Sequence, residues 1–384
     1  MRHIIIMLTA MLALAAPARA QGQLVIVGGG LADDNDAVFA AFLDALPASD
    51  APVAIIPVAS GVPVQSAAAF AAQLEQRGVA SERIRIIRLA IEDDPDTSED
   101  ESLWRGNADR PDEVNRLAHV GGIWFTGGDQ ARILAAMLRP DGDETAMLAI
   151  IRARFAAGAV IGGTSAGAAM MSNPMILQGD PLSLVPGAEP EREPVVTGAG
   201  LGFLRRYLVD QHFGERARLI RLVAALQALA PDNRIGLGID EDTALVVAPD
   251  QRSARVIGRG RVTYIDGRDA EYRAGHGFAV RGAAVAMISD GETIDLAGPV
   301  APGKSTQPAV QCLSATSAAG LPASQSEVIA GVTASLETSG ETTCLITAGT
   351  SGLALRFYRT ANAADQRVRM DIAPVTLQPD MAEH

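Results

Sequence analysis

Cysteine and lysine are almost absent from this sequence. Its 384 residues include two cysteines, Cys312 and Cys344, and one lysine, Lys304. Two cysteines without histidines at ligand spacing do not form a zinc site, and no cluster of histidine, cysteine and carboxylate residues has metal-ligand spacing. We therefore expect neither a metal nor another cofactor. Since no serine stands three residues before Lys304, a Ser-x-x-Lys catalytic pair is also excluded.

Basic residues are also fewer than acidic residues. The formal net charge is -13, and nucleic-acid binding needs clustered cations that face phosphate groups. Nucleic acid is therefore not expected as a partner, whereas a cationic substrate would be attracted. Seven of the ten residues in Glu92–Glu101 are acidic. This run predicts a solvated loop, and a rim that binds guanidinium groups is the alternative.

Long apolar runs are lacking except at the start of the chain. The apolar run Ile4–Ala16 follows Arg2 and precedes the small-residue cleavage pattern Ala18–Ala20. This pattern predicts a secretory signal peptide, Met1–Ala20, with Gln21 as the first mature residue. No later segment is long and apolar enough to span a bilayer. We expect a secreted or periplasmic protein without a membrane partner.

Short apolar strands alternate with helical stretches from Gln23 onward. Continuous apolar strands separated by helices predict an α/β fold with a doubly wound, mostly parallel sheet, which binds ligands at the carboxyl ends of its strands. From Ile235 to Ile288 the pattern changes to strands with tight turns, which predicts antiparallel strands that complete or flank the sheet. The clearest parallel strands are Leu24–Val27, Val53–Val58, Ile84–Leu89 and Gly122–Thr126.

The sequence Gly163-Thr164-Ser165-Ala166-Gly167 lies where an apolar strand meets small residues that open a helix. It matches a nucleophile elbow, in which small residues permit a tight, strained turn that exposes the serine. The helix N-terminus behind it suits an oxyanion. The alternative is a glycine-rich turn with a solvated serine.

A second glycine-rich turn, Gly28–Gly30, ends the first strand. It resembles the start of a dinucleotide-binding motif, but Asp33 stands where the third glycine of Gly-x-Gly-x-x-Gly belongs. No dinucleotide site is therefore predicted here.

A serine nucleophile needs a base, and His212 is the favoured histidine. It lies in the segment Leu208–Phe213, in which an apolar strand is followed by polar residues, and this again indicates the carboxyl end of a strand. The alternative is a structural histidine at a packed interface. The base needs an acid to orient it. Spacing does not choose between Asp240 and Glu241, which follow another buried strand, and Asp180 is a third option.

Three arginines open a helix predicted over Glu215–Leu229, namely Arg216, Arg218 and Arg221. Arg218 and Arg221 share one helix face. Cations in the first turn of a helix oppose its dipole, so an anion there, either a substrate carboxylate or Glu215, would relieve the conflict. The alternative is a solvated basic face.

Four motifs in this order resemble the cyanophycinase family, serine peptidases related to dipeptidase E with a class I glutamine-amidotransferase-like (flavodoxin-like) fold. Together they lie within the region from about Leu24 to Ile288. The matching segments are Phe125–Gln130, Gly163–Ala169, Asp210–Phe213 with the three arginines, and Gly238–Ala244.

The resemblance implies a Ser-His-Glu triad of Ser165, His212 and Glu241, and it thereby favours Glu241 as the acid. Relatives of dipeptidase E use an aspartate between the serine and the histidine, so Asp180 stays the alternative. The order of nucleophile, histidine and acid differs from that of α/β-hydrolases.

The resemblance also implies an oxyanion hole and a substrate pocket. The backbone N–H of Ala166, with that of Gly128 or Asp129, would hold the oxyanion. Arginines would grip the substrate α-carboxylate, and Asp210 its α-amine. The matching pocket residues are Gln130, Asp210, Gln211, Arg216, Arg218 and Arg221.

The family hydrolyses cyanophycin (multi-L-arginyl-poly-L-aspartate) to β-Asp-Arg dipeptides. The resemblance therefore implies an exported serine exopeptidase with cyanophycin or a β-aspartyl peptide as its substrate. One alternative is a dipeptidase E-like enzyme that acts on short Asp-X or isoaspartyl peptides. The other is a non-catalytic binding protein.

The chain is divided into a signal peptide at 1–20, a catalytic α/β domain at 21–298 and a region at 299–384 that comprises a linker and a small β-rich C-terminal extension. The extension has no motif to match, and stabilising the fold, forming a homodimer or holding substrate granules are alternatives for it. An exported chain predicts a disulfide between Cys312 and Cys344. Closing that loop of about thirty residues contributes about 3 kcal/mol in the chain-entropy view.

Overall fold

The computed structural model describes residues 21–186, 188, 190–273, 278–296, 298, 341–348, 351–359 and 367–376. Met1–Ala20, on which the signal-peptide prediction rests, and Cys312 lie outside the described residues, as does the side chain of Cys344. The boundaries predicted at 20 and 298 and the disulfide therefore stay predictions. No helix among the described residues has the length and apolar character that a bilayer crossing requires.

Strands and helices alternate through the first half of the chain. The helices are α1 (Asp36–Asp44), α2 (Pro63–Gln76), α3 (Pro111–Asn115), α4 (Gln130–Met137), α5 (Ala146–Ala156), α6 (Ala166–Ala169) and α7 (Leu219–Ala225). The strands are β1 (Leu24–Val27), β2 (Val53–Ile56), β3 (Ile84–Ile86), β4 (Gly122–Phe125), β5 (Val160–Thr164), β6 (Met175–Gln178), β7 (Val196–Gly198), β8 (Leu208–Asp210), β9 (Ile235–Ile239), β10 (Thr243–Val247), β11 (Ser253–Gly258), β12 (Val262–Asp266), β13 (Glu271–Arg273), β14 (Ala279–Ile288), β15 (Thr293–Asp295), β16 (Glu341–Ala348), β17 (Ser351–Arg359) and β18 (Val368–Thr376).

The first sheet has the order β15-β11-β10-β1-β5-β4-β2-β3. The neighbours from β1 to β3 pair in parallel, while β10, β11 and β15 join antiparallel. The strands of the parallel part, apart from the edge strand β3, are apolar and buried on both faces, because helices cover the sheet from both sides. The predicted doubly wound, mostly parallel sheet is thus confirmed.

One face of this sheet is covered by α1 and α2 through an aromatic cluster. The Phe70 and Trp124 rings stack with centroids 4.3 Å apart, and Phe42 meets Trp124 edge-on at 5.1 Å. The neighbouring strand leaves room for the indole, because a Cβ at Gly162 would lie 2.4 Å from it. The opposite face packs on α4, α5 and α6 and on the second sheet.

The second sheet has the order β16-β17-β18-β14-β12-β9-β8, with β13 paired to β14. The C-terminal region contains β16, β17 and β18, so it is β-rich as expected. Its strand β18 pairs antiparallel with β14, and Leu355, Phe357 and Met370 are buried in the same core as α7. These C-terminal strands therefore extend a sheet that begins in the preceding part of the chain.

The acidic segment Glu92–Glu101 is folded back on itself. Asp94 and Glu101 are buried, and Glu101 accepts hydrogen bonds from the Asp94 backbone N–H at 3.0 Å and from the Thr97 hydroxyl at 2.6 Å. The expectation of a wholly solvated loop was wrong for these two carboxylates, because local hydrogen bonds replace their water.

Candidate active site

Ser165 stands on a sharp turn between β5 and α6. Its φ of 54° and ψ of -111° are strained for a residue with a side chain. The residues two positions before and after it must be glycine, since a Cβ at Gly163 would lie 2.5 Å from the Gly167 carbonyl and one at Gly167 would lie 2.4 Å from the Phe125 carbonyl. The predicted elbow geometry is present, and it holds the hydroxyl out from the end of the sheet.

His212 follows β8 at the carboxyl end of the second sheet. Its Nε2 lies 2.7 Å from the Ser165 Oγ, and its Nδ1 lies 2.5 Å from a carboxylate oxygen of Glu241. These partners assign the neutral tautomer, with Nδ1–H donating to Glu241 and Nε2 accepting from the serine. Burial lowers the pKa of His212, against the hydrogen bond to Glu241, which raises it. The imidazole is therefore unprotonated near neutral pH, as a general base must be.

The three carboxylates considered as the acid, Asp180, Asp240 and Glu241, have different contacts. Glu241 contacts His212, while Asp240 is buried and accepts the backbone N–H groups of Gly214 and Arg261, each at 3.0 Å. Successive side chains of the turn after β9 therefore do point in different directions. Asp180 accepts the Leu182 backbone N–H and pairs with the Arg192 guanidinium at 2.6 Å.

The oxyanion donors implied by the resemblance are backbone N–H groups. Those of Ala166 and Gly128 donate to no protein group in the part of the chain that the structure describes. The N–H of Asp129 donates to the Ala59 carbonyl at 2.9 Å, and the Asp129 carboxylate caps α4 through Ala131. Asp129 was therefore a wrong choice as oxyanion donor, because its N–H already has an acceptor, and Gly128 is the donor left for that role.

A cleft of about 570 Å³ opens beside Ser165. Among the residues that line it are Gly128, Gln130, Gln211, Arg216, Arg218 and Arg221, which the sequence had indicated, together with Asp180, Glu191, Arg192 and Glu193. Charges of both signs thus face the same space.

We call the set Asp210, Gln211, Arg216, Arg218 and Arg221 the arginine cluster. Asp210 lies beneath the cleft with 1% of its surface exposed, and both of its carboxylate oxygens are held by the Arg221 guanidinium. The expected contact of Asp210 with a substrate amine was wrong, because this carboxylate is buried and already paired. It holds the arginines in place instead.

The two buried arginines are tied to the cleft wall. Arg221 also donates to the Gly179 carbonyl at 3.0 Å, and Arg218 donates to the Gln211 carbonyl at 2.6 Å and to its side-chain oxygen. Burial lowers the pKa of Arg218 to about 10, which leaves it charged at neutral pH. The helix α7 begins at Leu219 and not at Glu215, so the dipole argument does not apply to Arg216, and Arg218 stands at the N-cap position.

Arg216 is the exposed member of the cluster. Among the described residues its guanidinium has no ion pair or hydrogen bond, and it lines the cleft. Gln130 is mostly buried and donates to the Ile176 carbonyl at 3.0 Å, so it also fixes the cleft wall at β6. An anion entering the cleft would therefore meet a free guanidinium beside the serine.

Comparison with known proteins identifies the family of this chain. Residues 101–254 match the model of peptidase family S51. A cyanophycinase of Geminocystis herdmanii is 34% identical over 251 residues, which are 65% of this chain and 82% of that protein. The chain belongs to peptidase family S51. A Nostoc cyanophycinase is 32% identical over 259 residues and is covered to 77%.

One further relative matches a shorter segment of this chain, and one solved structure shares its fold. A cyanophycinase of Synechococcus elongatus is 41% identical over 169 residues, which are 44% of this chain and 48% of that protein, so the match spans about half the length of that relative. The crystal structure of a peptidase from an acI-B1 Actinobacterium covers 72% of this chain and 98% of its own, with a TM-score of 0.50 and 20% identity. That likeness shows the shared fold alone.

Some cleft residues had no signal in the sequence. Glu191, Arg192 and Glu193 lie between β6 and β7, and their alternating charges are typical of any solvated loop. The turn Gly28–Gly30, which lacks the spacing of a dinucleotide site, lies against His212 and Glu241. Neither placement follows from spacing, because both depend on which loops meet above the sheet.

Proposed function

We propose that this member of family S51 is an exported serine peptidase that hydrolyses cyanophycin to β-Asp-Arg dipeptides. The observation that carries the proposal is the hydrogen-bonded series Ser165, His212, Glu241 beside a cleft lined by Arg216, whose guanidinium has no partner among the residues that the structure describes. A nucleophile, an oriented base and anion-binding groups around one space are the parts that acyl transfer requires.

The mechanism begins with proton transfer from the Ser165 hydroxyl to Nε2 of His212, as the serine oxygen forms a bond to the scissile carbonyl carbon. Glu241 stabilises the imidazolium that results. The oxyanion accepts hydrogen bonds from the N–H groups of Ala166 and Gly128. The C–N bond then breaks, the leaving amine takes the proton from His212, and water attacks the acyl-enzyme by the reverse route to release the acid and restore the serine.

The cleft suits a substrate unit that carries both charges. A β-linked aspartyl unit presents a free α-carboxylate close to the scissile bond, which Arg216 and Arg218 can receive. Its arginine side chain is cationic, and Glu191 and Glu193 line the same cleft.

Digestion of purified polymer tests this function. The protein is incubated with cyanophycin and, separately, with a panel of Asp-X and β-Asp-X dipeptides, and the products are identified by mass spectrometry. We expect β-Asp-Arg from the polymer and none with Ser165→Ala. Intact polymer together with cleaved dipeptides would instead establish a dipeptidase E-like activity.

A binding protein without catalysis is tested by labelling. A serine-reactive phosphonate should modify Ser165 in the native protein but not in the urea-unfolded protein, because the hydroxyl needs His212 to react. An unlabelled native serine would support the binding protein.

Export is part of the proposal and rests on the pattern of Met1–Ala20. Expression of the full chain followed by fractionation and N-terminal sequencing tests it. We expect a mature protein that begins at Gln21 in the periplasm or the medium. A cytoplasmic product that retains Met1 would contradict this part alone.

A further inference from the structure

The glycine turn after β1 forms the wall behind the imidazole. An ideal Cβ at Gly29 would lie 2.2 Å from Cε1 of His212 and 2.6 Å from each ring nitrogen. A Cβ at Gly30 would lie 2.5 Å from a carboxylate oxygen of Glu241. Two consecutive residues without side chains thus touch the base and the acid.

The same turn is hydrogen-bonded through its backbone to His212 and to Asp242, the residue after Glu241. The Gly28 carbonyl accepts the His212 N–H at 2.6 Å, and the Gly29 carbonyl accepts the Asp242 N–H at 2.8 Å, directly after Glu241. His212 itself has a φ of 45°, a strained value that this bond helps to hold.

The far side of the turn is anchored independently of the base. The Asp242 carboxylate accepts the Ala32 N–H at 2.9 Å and the amide of buried Asn35 at 2.7 Å, and Asn35 also donates to the Asp242 carbonyl at 2.9 Å. The glycine turn and the turn that carries Glu241 are therefore one rigid unit.

We propose that Gly29 and Gly30 are positioning residues, which fix the His212 ring and the Glu241 carboxylate at hydrogen-bonding distance from each other and from Ser165. This role rests on the proposed function and concerns the same site. Because Gly29 has no side chain, the His212 ring can pack directly against its backbone. This packing restricts the ring to the orientation in which Nε2 points at the Ser165 hydroxyl. A methyl group there displaces the ring, and a misplacement of about 1 Å costs about 100-fold in rate.

Gly29→Ala tests the proposal, and Gly142→Ala is its matched control. Both glycines have positive φ, 116° and 89°, so both substitutions strain the backbone, but nothing lies within 4 Å of a Cβ at Gly142. The first readout is the rate of Ser165 labelling by a small phosphonate, which needs no substrate binding. We expect Gly29→Ala to label about 100-fold more slowly than Gly142→Ala.

The second readout is the low-field proton resonance of the short Nδ1–H···Glu241 hydrogen bond, identified by its loss in Glu241→Gln. We expect it in the wild type and in Gly142→Ala, and we expect it to be lost in Gly29→Ala while the melting temperatures of the two variants agree. A general loss of stability would not remove this signal from a protein that remains folded.

Gly30→Ala covers the case in which Gly29→Ala does not fold. Its Cβ meets the carboxylate, so the resonance should shift or vanish with a smaller loss of labelling, since the Glu241 side chain can rotate. Equal labelling rates and an unchanged resonance in the glycine variants would overturn the positioning role. A wild type that shows the resonance but is never labelled would instead overturn the proposed function.

Discussion

The reaction centre and the arginine cluster face one cleft but are held by different forces. Ser165 and His212 are fixed by strained backbone and by glycine walls that fit around them. Arg221 is fixed by a buried ion pair with Asp210. Folding of the reaction centre should therefore be more sensitive to changes in side-chain size than to changes in charge. Folding of the arginine cluster should be more sensitive to changes in charge. Substitutions that remove one kind of support at a time can test this contrast.

The largest expected effect is on the acid. Glu241→Gln keeps the shape but presents an amide to Nδ1 of His212, and in other triads such a change lowers kcat by about 10,000-fold. We expect a loss of that order in kcat for peptide hydrolysis, with little change in the free energy of unfolding. Asp180→Asn is the comparison: Asp180 lines the cleft and pairs with Arg192 but not with His212, so the variant should change KM without a comparable loss of kcat. The reverse result would make Asp180 the acid.

Removal of a buried charge comes next. Asp210→Asn leaves the Arg221 guanidinium buried without its partner, and breaking such a pair costs about 3–5 kcal/mol. We expect this loss in the free energy of unfolding measured in urea. Asp112→Asn removes a partner from the exposed pair with Arg110 and should leave that free energy unchanged. Equal stabilities would show that the cluster is not held by its ion pair.

The exposed cation should affect binding and not folding. Arg216 has no partner among the described residues, so Arg216→Gln removes a cation that can bind a substrate carboxylate without breaking an ion pair among those residues. We expect KM for a β-aspartyl dipeptide to rise about tenfold, because charge-assisted hydrogen bonds to carboxylate are the stronger kind. Arg216→Lys keeps the charge and should recover part of the loss. An unchanged KM in Arg216→Gln would place the carboxylate elsewhere.

The smallest effect concerns pH. Burial, the main cause, lowers the pKa of His212, and a general base acts in its unprotonated form. Activity is therefore present above the His212 pKa and lost as the pH falls through it, so the acid limb of kcat/KM should lie below the usual histidine value of about 6.5. The Glu241 hydrogen bond raises this pKa. In Glu241→Gln the residual activity should extend to lower pH, and an acid limb that moves upward would contradict this reading.

The parts of the site that are local in sequence were predictable. The elbow around Ser165 needs small residues at fixed offsets, and His212 and Glu241 each follow an apolar strand, so their places at the carboxyl ends of strands could be inferred. That these strands belong to two sheets could not. The choice of Glu241 over Asp240 came from the resemblance, because both carboxylates follow the same strand.

The errors concern contacts between distant segments. The N–H of Asp129 donates to the Ala59 carbonyl, and the Asp210 carboxylate pairs with the Arg221 guanidinium. Neither contact can be predicted from the spacing of residues in the sequence. The helix after His212 begins late because Ala217, with a φ of 52°, interrupts the expected first turn. That interruption brings Arg218 back toward Gln211.

The position of Glu241 at the passage from one sheet to the other has a consequence for folding. The hydroxyl is delivered by β5 of the first sheet, the imidazole by β8 of the second, and the carboxylate by the link from β9 to β10, which joins the two. A folding intermediate in which only one sheet has formed would not bring Ser165, His212 and Glu241 together. Hydrolysis by the proposed mechanism therefore requires both sheets to have formed and packed together.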